Sequence, residues 1–146
     1  MIRTKRRWRI CTALLICNLV FIWGNSLLPG EISGALSNWL KDILSAFMGG
    51  SGEGGGGGLL RKLAHFTEFA CLGLLLQWLR SMLEKKLPGS ILWGFGAACI
   101  DETIQCFVPD RGPGLLDVAI DTAGVIAGAM ILYIIMRKYQ RKENEL

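Results

Sequence analysis

The sequence has a single histidine, and none of its five cysteines is spaced as Cys-x-x-Cys. Thiolate metal centres and dithiol redox sites need such spacing, so we expect the cysteines to pack as small hydrophobic side chains. The glycine-rich run at residues 49–58 lacks the Gly-Lys-Ser/Thr of a phosphate-binding loop and adjoins no strand pattern. It is typical of a flexible tether. We assign neither a metal nor a cofactor.

Long apolar stretches dominate the chain. Its 146 residues are 51% hydrophobic with a mean hydropathy of +0.40, above the ordinary soluble range. Four stretches, 10–28, 63–82, 90–108 and 115–136, are close to the ~20 residues that a membrane-spanning helix needs. A buried helix of a soluble bundle would carry a polar stripe, yet only Thr12 and Asn18 interrupt residues 10–23. The pattern predicts an all-α polytopic membrane protein, a bundle of four transmembrane helices forming one domain over residues 1–146.

Basic residues are distributed unevenly between the ends of these four stretches. Twelve of the sixteen lie at the two termini and between the second and third stretches, whereas only Lys41, Arg61, Lys62 and Arg111 lie on the other side. Cytoplasmic flanks of membrane helices are enriched in Lys and Arg, so we predict a multi-pass protein of the cell membrane with both termini cytoplasmic. The same clusters explain the net charge of +4, and no nucleic-acid partner is expected.

An external insert is predicted over residues 33–58. Its first part, residues 34–48, has apolar residues at helical spacing with Ser, Asn, Lys and Asp between them, and the glycine-rich run follows. The amphipathic part fits a helix that lies on the outer leaflet, and it fits equally a cap packed over the bundle.

Polar side chains interrupt the last three stretches at one depth, within about 3–11 Å of their outer ends for a helical rise of 1.5 Å per residue. They are His65, Glu68, Asp101, Glu102, Gln105, Asp117 and Asp121. An unpaired acid in mid-membrane costs ~2.5–3.5 kcal/mol, so these groups are expected to face a shared interior with partners or water. Gly124 and Gly128 form a surface of small residues one helical turn apart, which predicts close approach of a neighbouring helix.

Two separated motifs carry a family resemblance. They are Lys62-Leu-Ala-His65-Phe-Thr-Glu68-Phe69 and Asp101-Glu102-Thr-Ile-Gln105-Cys-Phe107-Val-Pro109-Asp-Arg111, followed by Asp117, Asp121, Gly124 and Gly128. In this order they resemble the VanZ-like family, membrane proteins named for a teicoplanin-resistance determinant. The resemblance implies that Lys62, His65, Glu68, Asp101, Glu102, Gln105, Arg111, Asp117 and Asp121 are the polar signature. It also implies an effect on glycopeptide susceptibility, without assigning a molecular activity.

Two functions from different classes remain open. One is a binding module whose outward-facing site takes membrane lipid or a lipid-linked cell-wall precursor through Lys62, Gln105, Arg111, Asp117 and Asp121. The other is an enzyme with His65, Glu68, Asp101 and Glu102 as candidate catalytic groups for acid/base chemistry on a lipid-linked substrate. No nucleophile motif singles out a reaction. Oxygen ligands here would suit Mn²⁺ or Mg²⁺, but nearby basic residues compete for the same carboxylates.

Several signature residues also have a purely structural explanation. His65 alone is typical of a hydrogen-bonded packing residue, Asp117 of a first-turn acid beside the helix dipole, and Lys62 of an interfacial anchor. Asp121 lies too deep in its helix for the explanation given for Asp117. Asn25 and Ser26 fit terminal hydrogen-bonding groups of the first stretch, and they lie at the level of the site. Arg111 is expected to fold back over the bundle and to pair with Asp101, Glu102 or Asp117, since the turn-prone residues after it reverse the chain.

Overall fold

A computed structural model describes residues 2–48, 57–83, 87–112 and 114–144. These residues form five helices and no strand: α1 (Ile2–Ser26), α2 (Gly30–Met48), α3 (Gly57–Ser81), α4 (Leu87–Gln105) and α5 (Leu115–Asn144). The predicted all-α class is therefore confirmed for the described part of the chain. Helices α1, α3, α4 and α5 correspond in order to the four predicted apolar stretches.

Several helix boundaries differ from those predicted. Helix α3 already begins at Gly57, so the last two glycines of the glycine-rich run are helical and the prediction of a tether was wrong for them. Residues 49–56 of that run lie outside the described residues. Helix α4 begins at Leu87, with Pro88 in the first turn, where a missing amide hydrogen costs little. Helix α5 extends to Asn144 through the basic C-terminal segment.

Two of the helices are long and apolar enough to cross a membrane, at Lys5–Ser26 in α1 and Leu115–Lys142 in α5. Only 17% of the α1 window and 28% of the α5 window is buried, whereas the central helix of a soluble protein is mostly buried. Helices α3 and α4 are not among these candidate spans, and both carry charged side chains within their apolar stretches. Four spanning helices therefore remain a prediction.

Helices α3 and α5 pack with their backbones in direct contact. A Cβ atom added to Gly124 would meet the carbonyl oxygen of Phe66, and one added to Gly128 would meet that of Ala70. From the other side, a Cβ on Gly73 would meet the carbonyl oxygen of Val125. The close approach predicted from Gly124 and Gly128 is confirmed, and α3 is the partner helix.

A small hydrophobic core joins α1, α3, α4 and α5. It consists of Ile22, Phe69, Leu72, Ala97, Ala98 and Val125. Large apolar side chains also cover the outside of the bundle, including Val20 at 65%, Trp93 at 68% and Leu92 at 70% exposure. An apolar exterior around a narrow core is the arrangement expected of helices that face lipid.

Helix α2 packs against α3 and is joined at its start to the α4–α5 connection. The Gly30 amide donates to the Pro109 carbonyl oxygen at 3.2 Å, and a Cβ on Gly30 would collide with the Asp110 backbone. Asp110 has a φ of 58°, a left-handed conformation that aspartate tolerates better than most residues. Ile32 and Trp39 remain 54% and 60% exposed, so α2 both contacts the bundle and presents apolar side chains outward.

Candidate functional site

Polar side chains from four helices and one connection converge at one end of the bundle. Asn25 and Ser26 come from the end of α1, and His65 comes from the first half of α3. The other contributors are Arg61, Glu68, Asp101, Glu102, Gln105, Arg111, Asp117 and Asp121. The contributing residues of α4 lie at the C-terminal end of that helix, whereas those of α5 lie in its first turns. This antiparallel arrangement puts residues that are distant in sequence at the same level.

Asp101 is the centre of a hydrogen-bonded chain. Its side chain is fully buried, and it accepts from Ser26 Oγ at 2.7 Å and from Gln105 Nε2 at 2.8 Å. Arg61 Nη2 donates in turn to Gln105 Oε1 at 3.2 Å. Two neutral donors therefore stabilise the Asp101 carboxylate, and the guanidinium reaches it only through an intervening amide.

His65 faces two carboxylates. Its Nδ1 lies 3.9 Å from Asp101 Oδ2 and 3.7 Å from Asp121 Oδ1, distances that are longer than a hydrogen bond. Asp121 is 1% exposed, and within the described chain both of its oxygens lack a hydrogen-bond partner, as does His65 Nδ1. One ligand atom from each of the three residues lies within 4.8 Å of the others. These residues are called the acid–imidazole cluster below.

Glu68 and Glu102 have separate partners. Asn25 Nδ2 donates to Glu68 Oε1 at 3.1 Å, and the Gly114 amide donates to Glu102 Oε2 at 2.8 Å. The second oxygen of each carboxylate is buried with no partner among the residues that the structure describes. Glu102 therefore links the end of α4 to the chain just before α5. Among the acids proposed to work with His65, Asp101 is the one that approaches its Nδ1.

Arg111 folds back over the bundle, but it does not form the ion pair expected from the sequence. Its Nη1 donates to the carbonyl oxygen of Ser26 at 3.3 Å, and none of its described contacts is to a carboxylate within ion-pair distance. The end of α1 offers carbonyl groups that have no partner within the helix, and the guanidinium fork satisfies one of them. Burial lowers the pKa of Arg111 from its usual value, and the positive charge of Arg61 lowers it further.

Two cavities open beside the acid–imidazole cluster, and Arg61 and His65 line both of them. The larger has a volume of about 140 Å³. The smaller, of about 110 Å³, lies between α2 and the bundle. The other residues lining the larger cavity are Gly58, Lys62, Gln105, Asp117, Ile120 and Asp121. The smaller is completed by Asn25, Leu28, Ser33, Ser37, Leu60, Ala64, Glu68 and Arg111.

The residues predicted to form the site all lie at this end of the bundle, although their burial differs. Lys62 is exposed and Asp117 half-buried, and both line the larger cavity. Their roles in binding or catalysis remain predictions. Ser26 was expected to be a terminal hydrogen-bonding group at the level of the site, and its hydroxyl donates to Asp101. The Gly114 amide was not predicted to contribute, because a backbone group leaves no residue pattern in the sequence.

A second buried polar pair was also missed. Ser90 Oγ donates to Gln77 Oε1 at 2.7 Å, and both side chains are buried. It joins the last turns of α3 to the first turns of α4, far from the acid–imidazole cluster along both helices. This contact satisfies the hydroxyl donor in the interior and needs no ligand.

Comparison with known proteins gives one family match. A family model described as VanZ/LLP1 matches residues 7–137, which include all the residues of the site. No curated protein and no solved structure matches the chain.

Proposed function

The chain belongs to the VanZ/LLP1 family, and on this premise we propose that it is a multi-pass membrane protein whose polar site binds the phosphate group of an envelope lipid or lipid-linked cell-wall precursor. The smaller cavity carries this proposal. Arg61 and Arg111 line it from α3 and from the α4–α5 connection, with Leu28, Leu60 and Ala64 beside them. Guanidinium groups bind phosphate through paired charged hydrogen bonds, and apolar walls suit the start of a hydrocarbon chain.

Four spanning helices are the membrane arrangement that we propose. Helices α1 and α5 are apolar enough to span, and polar residues of α3 and α4 face one another: Arg61 donates to Gln105, and His65 lies 3.9 Å from Asp101. Pairing of polar groups within a bundle lowers the cost of inserting helices that carry charge. Exposed Leu92, Trp93 and Phe95 on α4 support a lipid-facing surface there.

The site opens toward the external face in this arrangement. Basic residues cluster at both chain termini and around the α3–α4 connection, which are the ends remote from the acid–imidazole cluster. Such clusters favour the cytoplasmic side and contact anionic lipid. Helix α2 then lies at the outer surface, where its exposed Trp39 suits the membrane–water interface. A site at this level has access to lipid-linked precursors, which supports an influence on teicoplanin susceptibility.

A second candidate function is an enzyme that uses acid/base chemistry on the same class of substrate. The position of His65 Nδ1 within 3.9 Å of both the Asp101 and Asp121 carboxylates favours it. A histidine beside carboxylates can accept a proton from a bound molecule and return it in acid/base chemistry. His65 also lines both cavities and so has access to a bound molecule in either.

Binding of a short-chain polyprenyl phosphate to the full chain in detergent micelles tests the first function. Arg61→Gln and Arg111→Gln should each weaken binding by about 10- to 100-fold, since a hydrogen bond to a charged group contributes about 1.5–3 kcal/mol. Arg137→Gln is the matched control, because Arg137 is exposed at the other end of the bundle and lies over the Tyr133 ring. A parallel titration with inorganic phosphate measures the binding of the head group without its hydrocarbon chain.

Two results would contradict lipid-phosphate binding. One is a wild-type protein that does not bind the polyprenyl phosphate at all. The other is an equal loss of affinity in Arg61→Gln, Arg111→Gln and Arg137→Gln, which would indicate a general charge effect on micelle association.

A further inference from the structure

Asp121 is a buried carboxylate with no hydrogen-bond partner among the described residues. It is 1% exposed, and neither of its oxygens accepts a hydrogen bond from the described residues. Its Oδ1 points at His65 Nδ1, 3.7 Å away, and that nitrogen also lacks a hydrogen bond. A polar group that is buried without a partner costs free energy, so this pair of atoms indicates a binding partner that is not part of the chain.

The two arginines at this end of the bundle donate to other groups. Arg61 donates to Gln105 and Arg111 donates to the Ser26 carbonyl oxygen, and neither guanidinium forms a described hydrogen bond with Asp121. Lys62 lines the same cavity as Asp121, where its side chain is exposed. Both described hydrogen-bond donors to Asp101 are neutral. The sequence suggested that basic side chains would compete with a metal ion for these carboxylates, but the described arginines do not contact Asp121. No described arginine contact therefore balances the negative charges of Asp101 and Asp121.

We propose that the acid–imidazole cluster of His65, Asp101 and Asp121 binds one divalent cation. Each residue supplies one ligand atom, and these atoms lie within 4.8 Å of one another. Ligands at about 2.1 Å from an octahedral ion are separated by roughly 3 Å when adjacent and roughly 4.2 Å when opposite. The observed separations of 3.7 and 3.9 Å from Nδ1 fall between these values, so small side-chain rotations suffice.

Neighbouring groups already hold one ligand in place. Ser26 Oγ and Gln105 Nε2 donate to the two oxygens of Asp101, leaving each oxygen a further lone pair. Such outer-shell hydrogen bonds orient a carboxylate and strengthen metal binding. Because Ser26 and Gln105 come from different helices, the orientation of Asp101 depends on the assembled bundle.

The larger cavity provides space for the remaining ligands. It is lined by His65 and Asp121 and measures about 140 Å³, several times the ~10–15 Å³ that a cavity needs to hold one water. Two carboxylates with one imidazole form a mainly hard ligand set that favours Mn²⁺ over a thiol-preferring ion. A cation here would leave coordination positions open to water or to a phosphate oxygen. The cation site does not depend on lipid binding, which was argued from the smaller cavity.

Titration of the EDTA-treated full chain in detergent with Mn²⁺ tests the site. Calorimetry and the electron paramagnetic resonance signal of free Mn²⁺ should give one bound ion per chain. Asp121→Asn, which nearly preserves the shape, should weaken binding by more than about 100-fold, because loss of outer-shell partners alone costs about 10–100-fold. Ser26→Ala removes such a partner without removing a ligand and should weaken binding by about 10-fold.

Asp110→Asn is the matched control. Asp110 is exposed on the α4–α5 connection and lies outside the cluster, and asparagine tolerates its left-handed φ of 58°. Its substitution should leave Mn²⁺ affinity unchanged, and gel filtration should give the same elution volume for all variants. A wild-type chain that binds no stoichiometric Mn²⁺, or equal affinities for Asp110→Asn and Asp121→Asn, would overturn the proposal.

Discussion

Ser26, the last residue of α1, donates from its Oγ to Asp101 Oδ1 at 2.7 Å, and both side chains are fully buried. The contact joins the first membrane-like helix to the acid at the centre of the site. Since Gln105 Nε2 also lies 3.4 Å from Ser26 Oγ, the hydroxyl contacts two side chains of α4. A short polar side chain at the end of α1 thus connects that helix to α4, in addition to the shared hydrophobic core.

Removing this hydroxyl is expected to destabilise the protein. Ser26→Ala should lower the free energy of unfolding by about 1–3 kcal/mol, because a buried carboxylate loses a donor. Thermal unfolding in one detergent measures the effect. Ser81→Ala is the control, since Ser81 Oγ donates to the Trp78 carbonyl oxygen within its own helix. Equal melting temperatures for the two variants would contradict a structural role for the Ser26–Asp101 contact.

The contact between α3 and α5 should be intolerant of a single added methyl group. Gly128→Ala places a Cβ against the Ala70 carbonyl oxygen, so we expect a loss of about 1–3 kcal/mol from overpacking. Gly96→Ala in α4 meets nothing within 4 Å and should be neutral or stabilising by up to ~1 kcal/mol through helix propensity. Opposite shifts in melting temperature are the expected result. A stability loss confined to Gly96→Ala would be inconsistent with the packing described.

Membrane orientation can be measured with single cysteines in a chain whose five native cysteines have been replaced. A cysteine at Asn38 on α2 should react with a membrane-impermeant maleimide in intact cells, whereas one at Gln140 near the end of α5 should react only after permeabilisation. Both native side chains are exposed, so access within the protein does not limit labelling. The basic clusters predict this pattern, and its reversal would put the site on the cytoplasmic side.

Isosteric changes separate a role for His65 from one for Glu102. The acid/base function predicts that His65→Asn abolishes any effect of the wild-type protein on teicoplanin susceptibility in a sensitive host, since it removes the imidazole of the cluster. Glu102→Gln should retain the effect, because an amide oxygen can still accept from the Gly114 amide. Expression of each variant must be matched. Retained protection in His65→Asn would exclude the acid/base function.

Sequence reasoning placed the polar residues at one level because helical rise and membrane thickness are fixed quantities. It could not determine which groups touch, since contacts between helices depend on their spacing and rotation. The target of Arg111 illustrates the difference. Its fold back over the bundle followed from the turn-prone residues around it, yet the guanidinium binds the Ser26 carbonyl oxygen instead of an acid. An unpaired carbonyl at a helix end does not depend on residue type and leaves no sequence pattern.

The predicted start of α3 was wrong for a related reason. Glycine has low helix propensity, so the glycine-rich run predicted a tether up to residue 58, but α3 begins at Gly57. Gly58 lines the larger cavity beside Arg61, so the first turn contributes to the wall of the site. Tertiary surroundings outweigh intrinsic propensity at such an end.

The contact of Gly124 with the Phe66 carbonyl oxygen has a geometric consequence for the cluster beside it. Phe66 follows His65 in α3, and Gly124 lies close to one turn beyond Asp121 in α5. The backbone contact therefore sets the distance between α3 and α5 at the level where the imidazole and the carboxylate face each other. A side chain at position 124 would increase that distance and separate His65 Nδ1 from Asp121 Oδ1 without altering either residue.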